Sequence, residues 1–330
     1  MSELRRDPLF QRWVVVTDQR WDDLRTTFQA PWGGPPEVCP FCPGNEAQTP
    51  PEVFAMREPG SAPNTPGWMV RAVPNKFPFL RVEGELQRTG EGIYDRVSGT
   101  GAHEIVIETP AHDADWGTLP GRHVAAILQV YRQRSLDLRQ DGRVRHIVVA
   151  RNAAGRRLQM PHPHSHILAL PVVPRRMEDE IRGIQEYSRR KERCPLCDTV
   201  RQELGDGRRV VRETERFVTL APFAARYPLE TRVAPKAHWH DFGTLDEASL
   251  HELGDLLRDL TARLVALAPV TEYSLVLHSS PFYPGVDPQY HWHLDFRVRL
   301  PVGAGFEWAT GFFVNPVAPE EAARLLREVI

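Results

Sequence analysis

Thr109-Pro-Ala-His-Asp-Ala-Asp-Trp-Gly-Thr-Leu119 and Pro235-Lys-Ala-His-Trp-His-Asp-Phe-Gly-Thr-Leu245 read as two copies of one phrase, with His112 matching His238. A repeat changes the unit that has to fold, so it is read before anything else. Outward from the phrase the match continues. A strand pattern precedes each copy, Glu104 to Glu108 in the first and Thr231-Arg-Val-Ala in the second. Helical spacing follows, Val124, Ile127, Leu128 and Tyr131 against Leu253, Leu256, Leu257, Leu260 and Leu264. A β-branched strand comes next, His146 to Ala150 or Tyr273 to Leu277, and each copy closes on histidines, His162-Pro-His-Ser-His166 or His291-Trp-His293. Upstream stand Cys39-Pro-Phe-Cys42 and Cys194-Pro-Leu-Cys197. The order Cys pair, strand, His, helix, strand, His cluster therefore occurs twice. It predicts an α+β fold of two tandem repeats, mainly antiparallel sheet with flanking helices, divided into residues 1–176 and 177–330. The amphipathic stretch Met177, Ile181, Ile184 and the basic run Arg189 to Arg193 make the junction. Ala30 to Pro51, rich in Pro and Gly, reads as a loop around the first cysteine pair, and Pro316 to Ile330 as a terminal helix.

The chain has 330 residues, 41 Lys+Arg and 43 Asp+Glu, a net charge of −2 that lacks the basic footprint of a nucleic-acid binder. At about 150 residues per domain the length suits two halves with a large core. No apolar run reaches the ~18 residues of a membrane span. Met1 to Asp7 is charged and lacks a signal-peptide core, so the expected compartment is the reducing cytoplasm. Four cysteines in that compartment point to metal and not to disulfides.

Two thiolates spaced two residues apart reach one tetrahedral ion from a tight turn, and two imidazoles close the coordination. The set expected in the first half is Cys39, Cys42, His112 and His162; by the repeat, the second half uses Cys194, Cys197, His238 and His291. Both sets are closed and structural in type, giving about two zinc ions per chain, and no organic cofactor is called for. If the segment from His162 is extended, alternate histidines share one face. With His162 on metal, His164 is left to attack a phosphorus atom as a neutral imidazole, oriented by a hydrogen bond to the His162 carbonyl.

These residues resemble the galactose-1-phosphate uridylyltransferase family of the histidine-triad superfamily, with its nucleotide-sugar phosphorylase and adenylyltransferase relatives. The resemblance rests on Asp7-Pro-Leu with Trp13-Val-Val-Val, Cys39-Pro-Phe-Cys-Pro-Gly-Asn-Glu46, Val73-Pro-Asn-Lys-Phe-Pro78, the His-Pro-His cluster and Gly311 to Ala323. It implies histidine-triad-like halves and a two-step reaction. His164 takes a nucleotidyl group from a nucleoside-diphosphate sugar, and a second sugar phosphate removes it; UDP-glucose and galactose 1-phosphate are the leading pair. It further implies that Asn75 and Phe77 line the nucleoside pocket, that Asn152 contacts phosphate, and that Arg20 reaches across a homodimer. Glu307-Trp308 to Phe313 falls where the family's C-terminal loop crosses likewise. Ser165 and His166 are the remaining candidates near the phosphates. In some members the second metal is held by residues matching Glu180, His278, His291 and His293; the second Cys pair favours the thiolate set here.

The chain departs from the family at His166, where transferases usually carry glutamine, and at Arg156 to Met160, which are usually small. Three functions therefore compete: a nucleotidylyltransferase, a phosphorylase or hydrolase in which phosphate or water captures the His164 adduct, and a zinc-stapled module that only binds nucleotides.

Overall fold

The computed structural model describes residues 3–6, 13–16, 38–153, 160–268, 272–282, 289–298 and 305–329. Arg20 and Arg156 to Gln159 lie outside them, as does the side chain of Trp308. A small antiparallel sheet is built from β1 (Glu3–Arg6), β2 (Trp13–Val16), β5 (Arg88–Glu91) and β6 (Tyr94–Ser98). Ten strands make the main sheet. The first half gives β3 (Phe54–Arg57), β4 (Trp68–Pro74), β7 (Ala102–Ile107), β8 (His146–Ala153) and β9 (His164–Leu170). The second gives β10 (Val210–Glu213), β11 (Phe217–Leu220), β12 (Thr231–Pro235), β13 (Tyr273–His278) and β14 (His293–Val298). Their order is β10-β11-β12-β14-β13-β8-β9-β7-β4-β3, so each half repeats one topology and the halves meet where β13 pairs antiparallel with β8. The tandem α+β repeat expected from the sequence is thus one continuous sheet with an approximate twofold axis at that seam.

Six helices are described: α1 (Gly121–Leu138), α2 (Arg175–Lys191), α3 (Pro195–Asp206), α4 (Glu247–Leu267), α5 (Gly305–Thr310) and α6 (Pro319–Glu328). The division at 176/177 falls in the first turn of α2. The two matched helices, α1 and α4, bury Val124, Ile127, Leu128 and Tyr131 with Leu253, Leu257 and Leu260 over one face of the sheet. They cross closely because Gly254 faces the Gly121 carbonyl, where an added Cβ would stand 2.7 Å from that oxygen. Asp246 caps α4 by accepting from the Ser249 N–H at 2.8 Å.

The other face differs between the halves. In the second, Val200 of α3 packs on Val218, Leu220 and Ala234, and Met177 and Ile181 of α2 pack on Tyr290. In the first, the small sheet covers only the Leu168 and Leu170 end of β9, through Leu4, Leu80 and Val97. At the end bearing His164 and His166, Phe41 of the first cysteine turn packs with Ile105 and Ile107 instead. Among those residues no helix is long and apolar enough to cross a membrane.

Candidate active site and metal centres

The first cysteine pair sits in a tight turn, closed by the Cys42 N–H donating to the Cys39 carbonyl at 3.3 Å. His112 arrives on the loop after β7 and His162 on the residue two before β9. Cys42 Sγ lies 3.3 Å from His112 Nδ1 and 3.6 Å from His162 Nδ1, and Cys39 Sγ lies 3.7 Å from His162 Nδ1. A tetrahedral zinc with normal bonds would separate sulfur and nitrogen ligands by about 3.5 Å, so the donor set fits the ion. The other ring nitrogen of His162 donates to the Thr109 carbonyl at 2.7 Å, which turns Nδ1 toward the sulfurs. Burial and the neighbouring Cys39 push the Cys42 thiol up to about 11. A metal entering here therefore displaces protons.

The second half repeats this arrangement. Cys194 ends the turn before α3 and Cys197 lies in its first turn. Cys197 Sγ is 3.4 Å from both His238 Nδ1 and His291 Nδ1, and His291 Nε2 donates to the Pro235 carbonyl at 3.1 Å. Pro235 is the repeat partner of Thr109, so the supporting carbonyl is duplicated along with the ligands. A third group converges beside this set, Glu180, His278 and His293. His291 belongs to the thiolate cluster, which separates the two ligand sets that the sequence left as alternatives.

Strand β9 alternates. His164 and His166 point to the open face, whereas Ser165 and Ile167 are fully buried. The Nδ1–H of His164 donates to the His162 carbonyl at 2.8 Å, which leaves Nε2 as its lone-pair nitrogen. Burial lowers its pKa, so the ring is neutral at pH 7. Phe41, between the first two cysteines, packs against the His164 ring with centroids 5.5 Å apart. Asn152 is exposed on β8, one residue beyond Arg151, which pairs with Ser165 across the ladder. Its Oδ1 accepts from the Ser274 hydroxyl at 2.8 Å, which turns the amide NH₂ outward. Asn75 and Phe77 share a loop in which the Phe77 N–H donates to Asn75 Oδ1 at 2.9 Å, and the Phe77 ring is 77% exposed.

One expected contact is corrected. Ser165 cannot present its hydroxyl to a ligand beside His164, because the pleat sends it into the core, where it bonds Glu108 and Tyr131. There Arg151 holds Glu108 at 2.8 Å and Asp115 at 2.6 Å. Sequence reading missed this buried network beneath His164, since nothing in spacing pairs Glu108 with Arg151. It also missed His103, whose Nε2 lies 3.0 Å from His166 Nδ1. The signal was available: His103 precedes Ile105 and Ile107 on the same strand face.

The second half has a counterpart of each histidine but a different outcome. His293 Nδ1 donates to the His291 carbonyl at 3.2 Å, as His164 does to His162. Its Nε2 then faces Glu180 Oε1 at 3.7 Å and Asp295 Oδ1 at 4.0 Å, and its ring stacks on His278 at 4.5 Å. Asp295 stands where the first half has His166 and is bound by Arg232 at 2.8 Å. Although burial opposes it, the charges of His293 and His278 draw the Glu180 carboxyl down to about 2. In the first half the free histidine nitrogen faces the open side of the sheet, whereas in the second it faces two carboxylates, and Glu180, His278, His293 and Asp295 line a cavity together.

A duplicated antiparallel sheet with paired Cys2His2 sets, each followed by a His-x-His strand entry, defines a tandem histidine-triad-like protein. Residues 1–174 match the family model described as galactose-1-phosphate uridyl transferase, N-terminal domain, and residues 180–302 match its C-terminal domain; the chain belongs to this family. An ADP-glucose phosphorylase of Arabidopsis thaliana is 33% identical over 99% of this chain and 93% of that protein. A galactose-1-phosphate uridylyltransferase of Thermotoga maritima is 29% identical over 99% of this chain and 98% of that one. The crystal structure of an ADP-glucose phosphorylase from Arabidopsis thaliana with bound ADP-glucose superposes with a TM-score of 0.77 at 30% identity, covering 100% of both chains.

Proposed function

We propose that the protein is a nucleotidylyltransferase that moves a nucleoside monophosphate between sugar 1-phosphates through a covalent adduct on His164. The observation that carries this reading is the bond from His164 Nδ1–H to the His162 carbonyl, which aims a neutral Nε2 at the open face. In the first step Nε2 forms a bond to the α-phosphorus of a nucleoside-diphosphate sugar. The α-phosphorus–oxygen bond to the β-phosphate breaks, and sugar 1-phosphate leaves with the electron pair. In the second step a phosphate oxygen of the acceptor attacks the same phosphorus and Nε2 regains its lone pair. His293 is excluded from this role by Glu180 and Asp295. The outward amide of Asn152 and the ring of His166 supply donors to the nonbridging oxygens, while Phe77 offers an exposed face for the base and Asn75 holds its loop.

Uridylyl exchange between UDP-glucose and galactose 1-phosphate is the first assignment. Orthophosphate as acceptor is the second reading, favoured by the 33% identity to an ADP-glucose phosphorylase. UDP-glucose and ADP-glucose, each incubated with hexose 1-phosphates, with phosphate or with neither, separate these readings. Product only with sugar phosphate supports the first, product with phosphate the second, and release into water alone would mark a hydrolase. Binding without turnover in every arm would leave a nucleotide-binding module.

Both Cys2His2 sets are assigned to zinc, which when bound supplies a closed structural centre and no open ligand position. About two zinc ions per chain are expected by elemental analysis, falling by one in Cys194→Ser with Cys197→Ser. A content near one that this double substitution leaves unchanged would remove the second thiolate site and return Glu180, His278 and His293 to consideration.

A homodimer with shared active sites is also proposed, with Arg20 and residues 307–313 reaching the partner. Phe306, Phe312 and Phe313 are 53%, 68% and 48% exposed, an apolar cluster suited to burial against a second copy. Light scattering at working concentration is expected to give twice the chain mass. A fully active monomer would refute the shared site.

A further inference from the structure

The pair His103 and His166 forms a chain of hydrogen bonds whose direction can be read. It begins at the Phe79 backbone N–H, which can only donate, 3.3 Å from His103 Nδ1. The Asn75 amide nitrogen lies 3.4 Å from Nδ1 and 3.1 Å from Nε2 of His103, its oxygen being occupied by the Phe77 N–H; placed between the two ring nitrogens it does not choose the tautomer, and the Phe79 N–H does. With Nδ1 accepting, the one proton of a neutral His103 sits on Nε2. That proton points at His166 Nδ1, 3.0 Å away, so Nδ1 of His166 accepts and its own proton sits on Nε2. Phe79 stacks on His103 with centroids 5.0 Å apart and fixes the plane of the ring. Burial keeps both rings uncharged, lowering His103 to about 4 and His166 to about 3.

We propose that His103 is a positioning residue that locks His166 in the Nε2–H form, making it a neutral hydrogen-bond donor to the phosphate held at His164. The proposal rests on the nucleotidyl-transfer reading for the identity of that phosphate. In this form His166 does what a side-chain amide would do at the same place: it donates one N–H and carries no charge. Its Nδ1 lone pair is taken by His103 and its Nε2 has none, so it cannot accept a proton from water attacking the adduct. The third histidine therefore leaves the adduct to a phosphate acceptor. His103→Leu removes the donor and frees Nδ1; the ring can then take either tautomer, and the Nδ1–H form presents a basic Nε2 to water. His103→Gln keeps an N–H within reach of Nδ1.

Long-range nitrogen NMR on the full-length zinc-loaded protein, assigned by difference against His166→Gln, reads the tautomer directly. The wild type and His103→Gln are expected to show an unprotonated Nδ1 and a protonated Nε2 at His166; His103→Leu is expected to show both forms. In parallel, the nucleotidylated protein is given acceptor, and the share captured by water is measured. That share is expected to rise about tenfold or more in His103→Leu and to stay within about threefold of wild type in His103→Gln, with zinc content and melting unchanged. A protonated Nδ1 in the wild type, or a His103→Leu protein with unaltered tautomer and partition, would overturn the proposal. The expected tautomer in a wild type that forms no adduct at His164 would support the His103 assignment while refuting the transfer reading.

Discussion

Replacing His164 with glycine is expected to lower turnover by at least about 10⁴-fold, a barrier increase of ~5.5 kcal/mol, with metal content and thermal melting unchanged. The size follows from the role: the substitution removes the atom that forms the bond to phosphorus, and no neighbouring side chain can replace it. His166 has its Nε2 protonated through the His103 chain, and His162 has Nδ1 turned to the cysteines. Folding is spared because His164 lies on the open face and ligates nothing. Steady-state rates with the best nucleoside-diphosphate sugar check it. Activity within about tenfold of wild type, a change of only ~1.4 kcal/mol, would show that the residue is not the nucleophile.

The other large effect is expected from Cys39→Ser with Cys42→Ser. These side chains hold no substrate, yet the path from them to the chemistry is short. They fix His162 at Nδ1, and the carbonyl of His162 fixes His164. Loss of a supporting partner of this kind typically costs 10–100-fold, and loss of the centre itself should reach about 10²-fold or more in turnover. The turn at Cys39, the loop at His112 and the entry to β9 are also untied from one another. The large sheet and its helices remain, so the protein should stay folded but melt on the order of 5–10 °C lower. Metal analysis, calorimetry and turnover on the same sample test this. Loss of the metal with full activity would separate the centre from the positioning of His164.

The repeat was legible because its marks are chemical and local. Two Cys-x-x-Cys pairs, two His-x-His clusters and the matched phrases at His112 and His238 constrain one another at similar spacing. Hydrophobic period then supplied α1 and α4, and the ladder confirms strands at His146 and Tyr273. The sequence could not show that the halves join through β8 and β13 into a single sheet, because strand pairing between distant segments leaves no local mark. Ser165 shows a different limit. Its place between two histidines invited a substrate role, although the same alternation that aligns His164 with His166 sends the residue between them inward. The partners that receive it are Glu108, just after β7, and Tyr131 on α1, with Arg151 of β8 holding Glu108 in turn, so they come from three separate stretches of chain. The inequality of the halves was only partly visible: His291-Trp-His293 lacks the third histidine, but the Arg232–Asp295 pair and the Glu180 carboxylate that face His293 appear only in three dimensions. Arg20 and Arg156 to Gln159, singled out from the sequence, lie outside the described residues.

The proposed reaction turns on a covalent bond between His164 and the nucleotide. Mass spectrometry of the acid-free quenched protein, after incubation with UDP-glucose or ADP-glucose in the absence of acceptor, tests it most directly. The peptide containing His164 should gain one nucleoside monophosphate, lose it when sugar phosphate or phosphate is added, and gain nothing in His164→Gly. Product formed in a single turnover with no modified histidine at any time would show direct transfer between substrates and contradict the account.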